Sequence, residues 1–387
     1  MESLLITGGK RILGDTVIGA AKNAVLPIMA ATILTGEKTI LLDCPQLLDI
    51  KHMSDILVAL GGKVKRQVRE LHIDPEAMDG HELPDHLAKR IRSSIFMLGP
   101  ILSRFRKATV TYPGGCEIGM RPIDLHLYGL RHLGVRVREE GGLIYCDGRD
   151  MHSAPIHFDY PSVGATENAM MAAVLLEGRT TLHNAAREPE IVDLQYYLNA
   201  MGARVSGAGS HTIVVEGVRK LHGAVYRPMP DRIVAGTLLA AAAITGGRVH
   251  LRNVPVKDML AVLHKLEEMG CEVESAASTV TLTAPARLNS CTQLQTQPHP
   301  GFPTDMQMQM LAVSTLAKGT SIIVENVFEN RFTHAGDLNR MGANIVVNGR
   351  TAIVQGVDRL YGACVTARDV RGGAALVLAG LKAQGET

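Results

Sequence analysis

One pattern recurs along this chain about every 70 residues. It comprises an apolar, helix-like run, a Gly turn, a β-branched run, a second amphipathic helix ending in Leu-Gly or Met-Gly, and a closing strand. The first copy reads AKNAVLPIMAATILTGEKTILLD and then ILVALGGKVK; the third reads SVGATENAMMAAVLLEGRTTLHN and then YYLNAMGARV. The fourth, DRIVAGTLLAAAAITGGRVHLRN with LHKLEEMGCEV, and the fifth, TDMQMQMLAVSTLAKGTSIIVEN with LNRMGANIVV, follow the same plan. A second copy, SSIFMLGPILSRFRKATVTYP with LRHLGVRV, is more divergent. The sixth, DVRGGAALVLAGLKAQGET, reaches Thr387 where the others turn from the Gly into their strand. It therefore reads as half a repeat, short by roughly 30 to 40 residues against its siblings, and the chain as a truncated product or natural fragment.

A surface helix carries one apolar stripe, but the first helix of each copy is apolar on nearly every side, as in Ala240 to Ala243 or Met170 to Leu176. Such helices have to be buried, with strands covering them, the reverse of a TIM barrel. The expectation is an α/β protein of two domains with three units each. A length of 387 residues exceeds one ordinary core, and 46% apolar with 20% charged residues is a globular composition.

Net charge is +2 and the Lys and Arg residues are scattered, which argues against nucleic acid as a partner. The opening MESLLITGGKRILG has no leader pattern, and no apolar run approaches the ~18 residues of a membrane span, so no membrane and a cytoplasmic location are expected. The six cysteines form no CxxC pair and have no His at metal spacing, so no metal is expected and most should be small buried apolar residues.

Polar residues open the buried helices: Lys22 and Asn23, Arg92 with Ser93 and Ser94, Ser162 with Thr166, Asp231 and Arg232, Thr304 and Asp305, and Arg371. Capping accounts for Ser162, Thr304 and Asp231. It does not account for Lys22, Arg92 or Arg371, because a cation at a helix start opposes the macrodipole by a few tenths to about 1 kcal/mol. A ligand with several anionic groups is the expected counterpart. In TYPGGCEIGMRPIDLH, Pro113, Gly114 and Gly115 make a loop tip with Gly119 as a further hinge, which exposes Cys116. With Arg121 five residues on, its thiol suits an acid or nucleophile. In HPGFPTDMQ, Pro300 and Pro303 set an extended approach to a helix where Asp305 either caps or acts as a general base.

AAKNAVLPIMAA, PGGCEIGMRPIDLH, PSVGATEN, NAAREPEIVDL, HPGFPTDMQMQ and VFENRF, in this order along essentially the whole chain, resemble the UDP-N-acetylglucosamine 1-carboxyvinyltransferase family. The resemblance implies an EPSP synthase-like fold of two inside-out α/β barrel domains built from about six repeats, the sixth incomplete here. It places residues 1 to 20 with 230 to 387 in one domain and 21 to 229, carrying the Cys loop, in the other, with substrates in the cleft. The implied reaction moves the enolpyruvyl group of phosphoenolpyruvate to the 3-hydroxyl of UDP-N-acetylglucosamine by addition and elimination. Phosphate is released, and the step is the first committed one of peptidoglycan synthesis. It needs neither metal nor organic cofactor.

By the same resemblance, Lys22 and Arg121 hold the phosphate of phosphoenolpyruvate while Arg331 and Arg371 face its carboxylate. Cys116 donates the proton to the methylene carbon and confers sensitivity to fosfomycin, and Asp305 takes or positions the sugar hydroxyl proton. Asn23, Arg92, Arg121, Pro122, Ile123, Asp124, Leu125, Ser162, Val163, Gly164, Asp305 and Val327 line the UDP-sugar site. Two departures stand out: Tyr160 precedes PSVGAT where some relatives have Lys, and the family's HIDRGYE segment is absent. The second implies weak or no turnover, as in an impaired paralogue that binds UDP-sugar. A 5-enolpyruvylshikimate-3-phosphate synthase shares fold and donor, but Cys116 and the AAKNA opening argue against it.

Overall fold

The computed structural model describes residues 3–114 and 122–387. These form two compact units, one of residues 3–18 with 230–387 and the other of residues 19–114 with 122–229. Each unit has its own apolar core. Six inner helices follow the six sequence copies: α1 (Lys22–Ala31), α2 (Leu98–Phe105), α3 (Val163–Ala173), α4 (Arg232–Thr245), α5 (Gln307–Ser314) and α6 (Val370–Lys382). Eight of the ten residues of α1 and all eight of α5 are buried, as their lack of a polar face requires.

The sheets lie outside these helices and share one plan. A short strand pairs in parallel with a second, which pairs antiparallel with a third and that with a fourth. Leu13–Val17, Arg248–Arg252, Thr279–Thr283 and Glu272–Ser275 follow it, as do Gln293–Gln295, Thr320–Val324, Thr351–Gln355 and Asn344–Asn348. In the other unit the same order appears in Val225–Tyr226, Thr39–Leu41, Glu70–Asp74 and Lys63–Gln67, and in Pro155–His157, Arg179–His183, Thr212–Glu216 and Arg204–Ser206. The divergent second copy keeps three strands, and a single parallel bridge from Glu82 to Thr109 stands where the others have an edge strand. Because side chains alternate along a strand, Val249 and Leu251 face the core while Arg248 and Arg252 face outward. At the last copy, α6 runs into isolated bridges from Tyr361 to Gln384 and from Thr7 to Glu386.

The repeat extends to single backbone positions. Asp43, Asn184 and Asn253 end corresponding strands with positive φ of 53°, 52° and 57°, a conformation that Asn and Asp tolerate better than most residues. Asn184 and Asn253 each donate a 2.7 Å side-chain bond to a carbonyl, Phe158 and Ile18 respectively. Gly217 and Gly356 close corresponding strands so near the preceding inner-helix turn that a Cβ would lie 1.4 Å from the Leu176 carbonyl oxygen and 1.6 Å from that of Ala317. Backbone cannot yield as a side chain can. Gly217→Ala is expected to lower unfolding free energy by about 3 kcal/mol, read from urea melts; an unchanged midpoint would contradict this packing.

The second copy departs from the helix its pattern predicts. Residues Arg92–Met97 form a 3₁₀ turn, and α-helix begins only at Leu98. Pro100 lacks the N–H that a continuous helix would need there, so it falls in the first turn of α2. Similarly, Thr304–Met306 is a 3₁₀ turn leading into α5 rather than the helix itself.

Candidate active site

In the unit of residues 3–18 and 230–387, polar groups gather where the inner helices begin. The Asp305 carboxylate accepts a hydrogen bond from Arg331 Nη2 at 2.8 Å and another from Arg371 Nη2 at 2.9 Å. Arg331 is only 3% exposed. It is held from its other side by Thr304, whose hydroxyl accepts from Nη1 at 2.7 Å and donates to Glu325 at 2.9 Å. Glu325 is buried and also accepts from Thr296 and from the Val327 and Phe328 amides, so the loop carrying Val327 is tied to the same network. Arg371 is set by α6, whose start is capped by Asp369 accepting from the Arg371 and Gly372 amides.

Burial raises the Asp305 carboxyl, but the charges of Arg371 and Arg331 outweigh it and hold the group far below the usual carboxylate range. In this arrangement Asp305 is an anion locked between two cations. It is no helix cap, since the N-cap position is Pro303 and carries no side-chain bond. Thr304, which its sequence position suggests as a cap, is instead the link between Arg331 and Glu325. Ser162 and Asp231 do cap, accepting from Ala165 and from Ile233 and Val234.

His334 lies in the same unit, 4% exposed, with neither ring nitrogen hydrogen-bonded. Desolvation pushes it down to about 4, with Asp369 and Asp337 pulling upward and Arg331 downward. The folded chain therefore keeps His334 neutral where the unfolded chain protonates it, so stability present above the unfolded value of 6.5 is lost as pH falls toward 4. The loss amounts to roughly 3 kcal/mol at full effect. Urea melts between pH 7 and pH 4 are expected to show it, and His334→Phe should flatten that slope; a parallel slope in the variant would remove His334 as its source.

In the other unit, Lys22 opens α1 and its ammonium lies 2.7 Å from Asp49. Gly164 allows a close approach of three segments: a Cβ there would lie 2.8 Å from the His126 ring and 3.2 Å from Phe96. Asn168 ties them together, 2.7 Å from His126 Nδ1, donating to the Ile95 carbonyl at 2.9 Å and accepting from the Gly99 amide at 2.8 Å. The turn that begins at Arg92, the helix start at Pro122, Ile123, Asp124 and Leu125, and the start of α3 at Ser162, Val163 and Gly164 are thereby brought together. Asn23, Pro122 and Asp124 are exposed there. Cys116 and Arg121 lie outside the described residues.

The partners of the helix-opening cations correct one inference from sequence. Lys22 and Arg371 are offset by the chain's own Asp49 and Asp305, so no ligand is needed to balance their cost at a helix start. Among the described cysteines, Cys44, Cys146, Cys271 and Cys291 are buried, and Cys364 is exposed. Burial pushes the thiols of Cys146 and Cys271 up to about 12, which makes them inert. Among the described residues no group of His, Cys, Asp and Glu could hold a metal ion, and no helix is long and apolar enough to cross a membrane.

The family model for EPSP synthase (3-phosphoshikimate 1-carboxyvinyltransferase) matches residues 6–387. A UDP-N-acetylglucosamine 1-carboxyvinyltransferase 2 of Caldanaerobacter subterraneus is 48% identical over all of this chain and 93% of that protein. The chain belongs to the UDP-N-acetylglucosamine 1-carboxyvinyltransferase family. Another carboxyvinyltransferase relative, from Gloeobacter violaceus, is 49% identical over 99% of this chain and 84% of its own length. Among solved structures, the enolpyruvyl transferase NikO from Streptomyces tendae superposes with a TM-score of 0.89 at 24% identity, covering 99% of this chain and 91% of that one. EPSP synthase from Acinetobacter baumannii gives 0.72 at 17% identity, over 99% and 92%. Both likenesses bear on the fold, which is that of the carboxyvinyltransferase family as the sequence motifs imply.

The sequence reading missed Glu325, Asp49 and the His126–Asn168 pair in these networks, and the buried His334 beside them. Glu325 carried a signal, an acid ending the β-branched run TSIIVE where the first, third and fourth copies place Asp43, Asn184 and Asn253. His334 carried none.

Proposed function

We propose that this chain transfers the enolpyruvyl group of phosphoenolpyruvate to the 3-hydroxyl of UDP-N-acetylglucosamine, with release of phosphate. The observation that carries the proposal is the buried Arg331, paired with Arg371 on one carboxylate, in a chain 48% identical along its length to a UDP-N-acetylglucosamine 1-carboxyvinyltransferase. Two guanidiniums with fixed donors suit a planar carboxylate such as the donor's. Lys22, as a compact charge at the start of α1, suits phosphate, in company with Arg121. Asp305 serves as base toward the sugar hydroxyl and Cys116 as proton donor to the methylene carbon. Asn23, Arg92, the 122–125 segment, Ser162, Val163, Gly164 and Val327 contact the UDP-sugar. The reaction belongs to peptidoglycan synthesis and to the cytoplasm.

A phosphate-release assay decides the acceptor. Release with phosphoenolpyruvate and UDP-N-acetylglucosamine is expected, and none with shikimate 3-phosphate; the opposite pattern would reassign the chain to the acceptor named by its family model. Cys116→Ala should lower the same rate at least ~100-fold, as expected for loss of a general acid.

A further inference from the structure

Arg331 presents a half-used fork. Its Nη1 is committed to Thr304 and its Nη2 to Asp305, while its Nε is buried and has no hydrogen-bond partner. Nε and Nη2 share one edge of the planar guanidinium, the edge that a carboxylate fills with two parallel bonds. Asp305 leaves that edge half filled, because its second oxygen accepts from Arg371. One carboxylate is stretched over two cations, and a buried donor is left without an acceptor, which native structures seldom tolerate without a functional reason. What the cluster lacks is one more carboxylate.

We propose that the carboxylate of the donor substrate supplies it, taking the Nε–Nη2 edge of Arg331 together with Arg371 and releasing Asp305, which is masked as a base until the donor is seated. The step rests on phosphoenolpyruvate being that donor. Exchange of carboxylate for carboxylate leaves no guanidinium bare, and Arg331 stays anchored through Thr304 to Glu325. Asp305, once released, has lost two cationic partners and gained an anionic neighbour. Each change favours proton uptake. The other charges near the clamp, Asp231 and Arg232 beside Arg371, and His334 beside Arg331 with Asp369 and Asp337 close to its ring, stay with the protein throughout. The acceptor's hydroxyl proton therefore has a base to go to only when the donor is bound.

The full chain, labelled with ¹³C at the Asp side-chain carboxyls, allows Asp305 to be followed directly, its resonance assigned by its disappearance in Asp305→Asn. Phosphoenolpyruvate is added alone, so that no acceptor is present, and its binding is followed in parallel by calorimetry. The titration midpoint of Asp305 is expected to rise by at least about one pH unit at saturation, a tenfold change in proton affinity. Binding without any movement of that midpoint overturns the masking but leaves the donor assignment standing. Absence of binding to both wild type and Asp305→Asn overturns the two together.

Discussion

Asp305→Ala is expected to lower turnover by roughly 10²–10⁴-fold, the range for loss of a general base. It is also expected to destabilise the chain by about 3 kcal/mol, as for a buried pair stripped of one partner. The two effects have one origin. Arg331 is 3% exposed and both guanidiniums point Nη2 at the same carboxylate, so removing it leaves two like charges facing one another with little water to screen them. Asp305→Asn separates the effects, because its amide oxygen still accepts one of the two bonds. Its stability should lie between wild type and Asp305→Ala while its turnover falls as far as the alanine variant's. Phosphate release and urea melts on the three proteins provide the comparison. Wild-type stability in Asp305→Ala would mean that the clamp is not what holds the helix starts together.

The clamp shows which parts of this protein can be read from its residues. The inner helices were legible because all-round apolarity leaves a helix nowhere to go but inside, and the repeat told how many there are. Their cationic openings were legible too, since Lys22 and Arg371 break the apolar pattern. Their partners were not. Asp49 is 27 residues from Lys22 and Asp305 is 66 from Arg371, separations that only the fold closes. Thr304 misled as a cap, and the residues alone left Asp305 open between cap and base, because a cap is a local bond, whereas Arg331 and Glu325 arrive from the loop after another strand. His334 was invisible for a different reason. Nothing in FTHAG marks a histidine that burial will keep neutral.

Lys22→Ala should behave in the opposite way to Asp305→Ala: turnover falls by roughly 10²–10³-fold, the scale for one lost electrostatic contact to developing charge, while stability moves by less than about 0.5 kcal/mol. Lys22 pairs with Asp49, but both side chains keep contact with solvent, at 24% and 34% exposure, so the pair contributes little to folding. As the first residue of α1, Lys22 also opposes the dipole of a helix that has no acidic residue in its first turn, and alanine relieves that opposition. Alanine is moreover the better helix former. The folding terms thus nearly cancel, so the larger contribution of the ammonium is expected toward an anionic ligand. The loss should appear in kcat/KM for phosphoenolpyruvate, with the urea midpoint unmoved. Full turnover in this variant would reduce Lys22 to a surface partner of Asp49 and leave the donor phosphate to other cations.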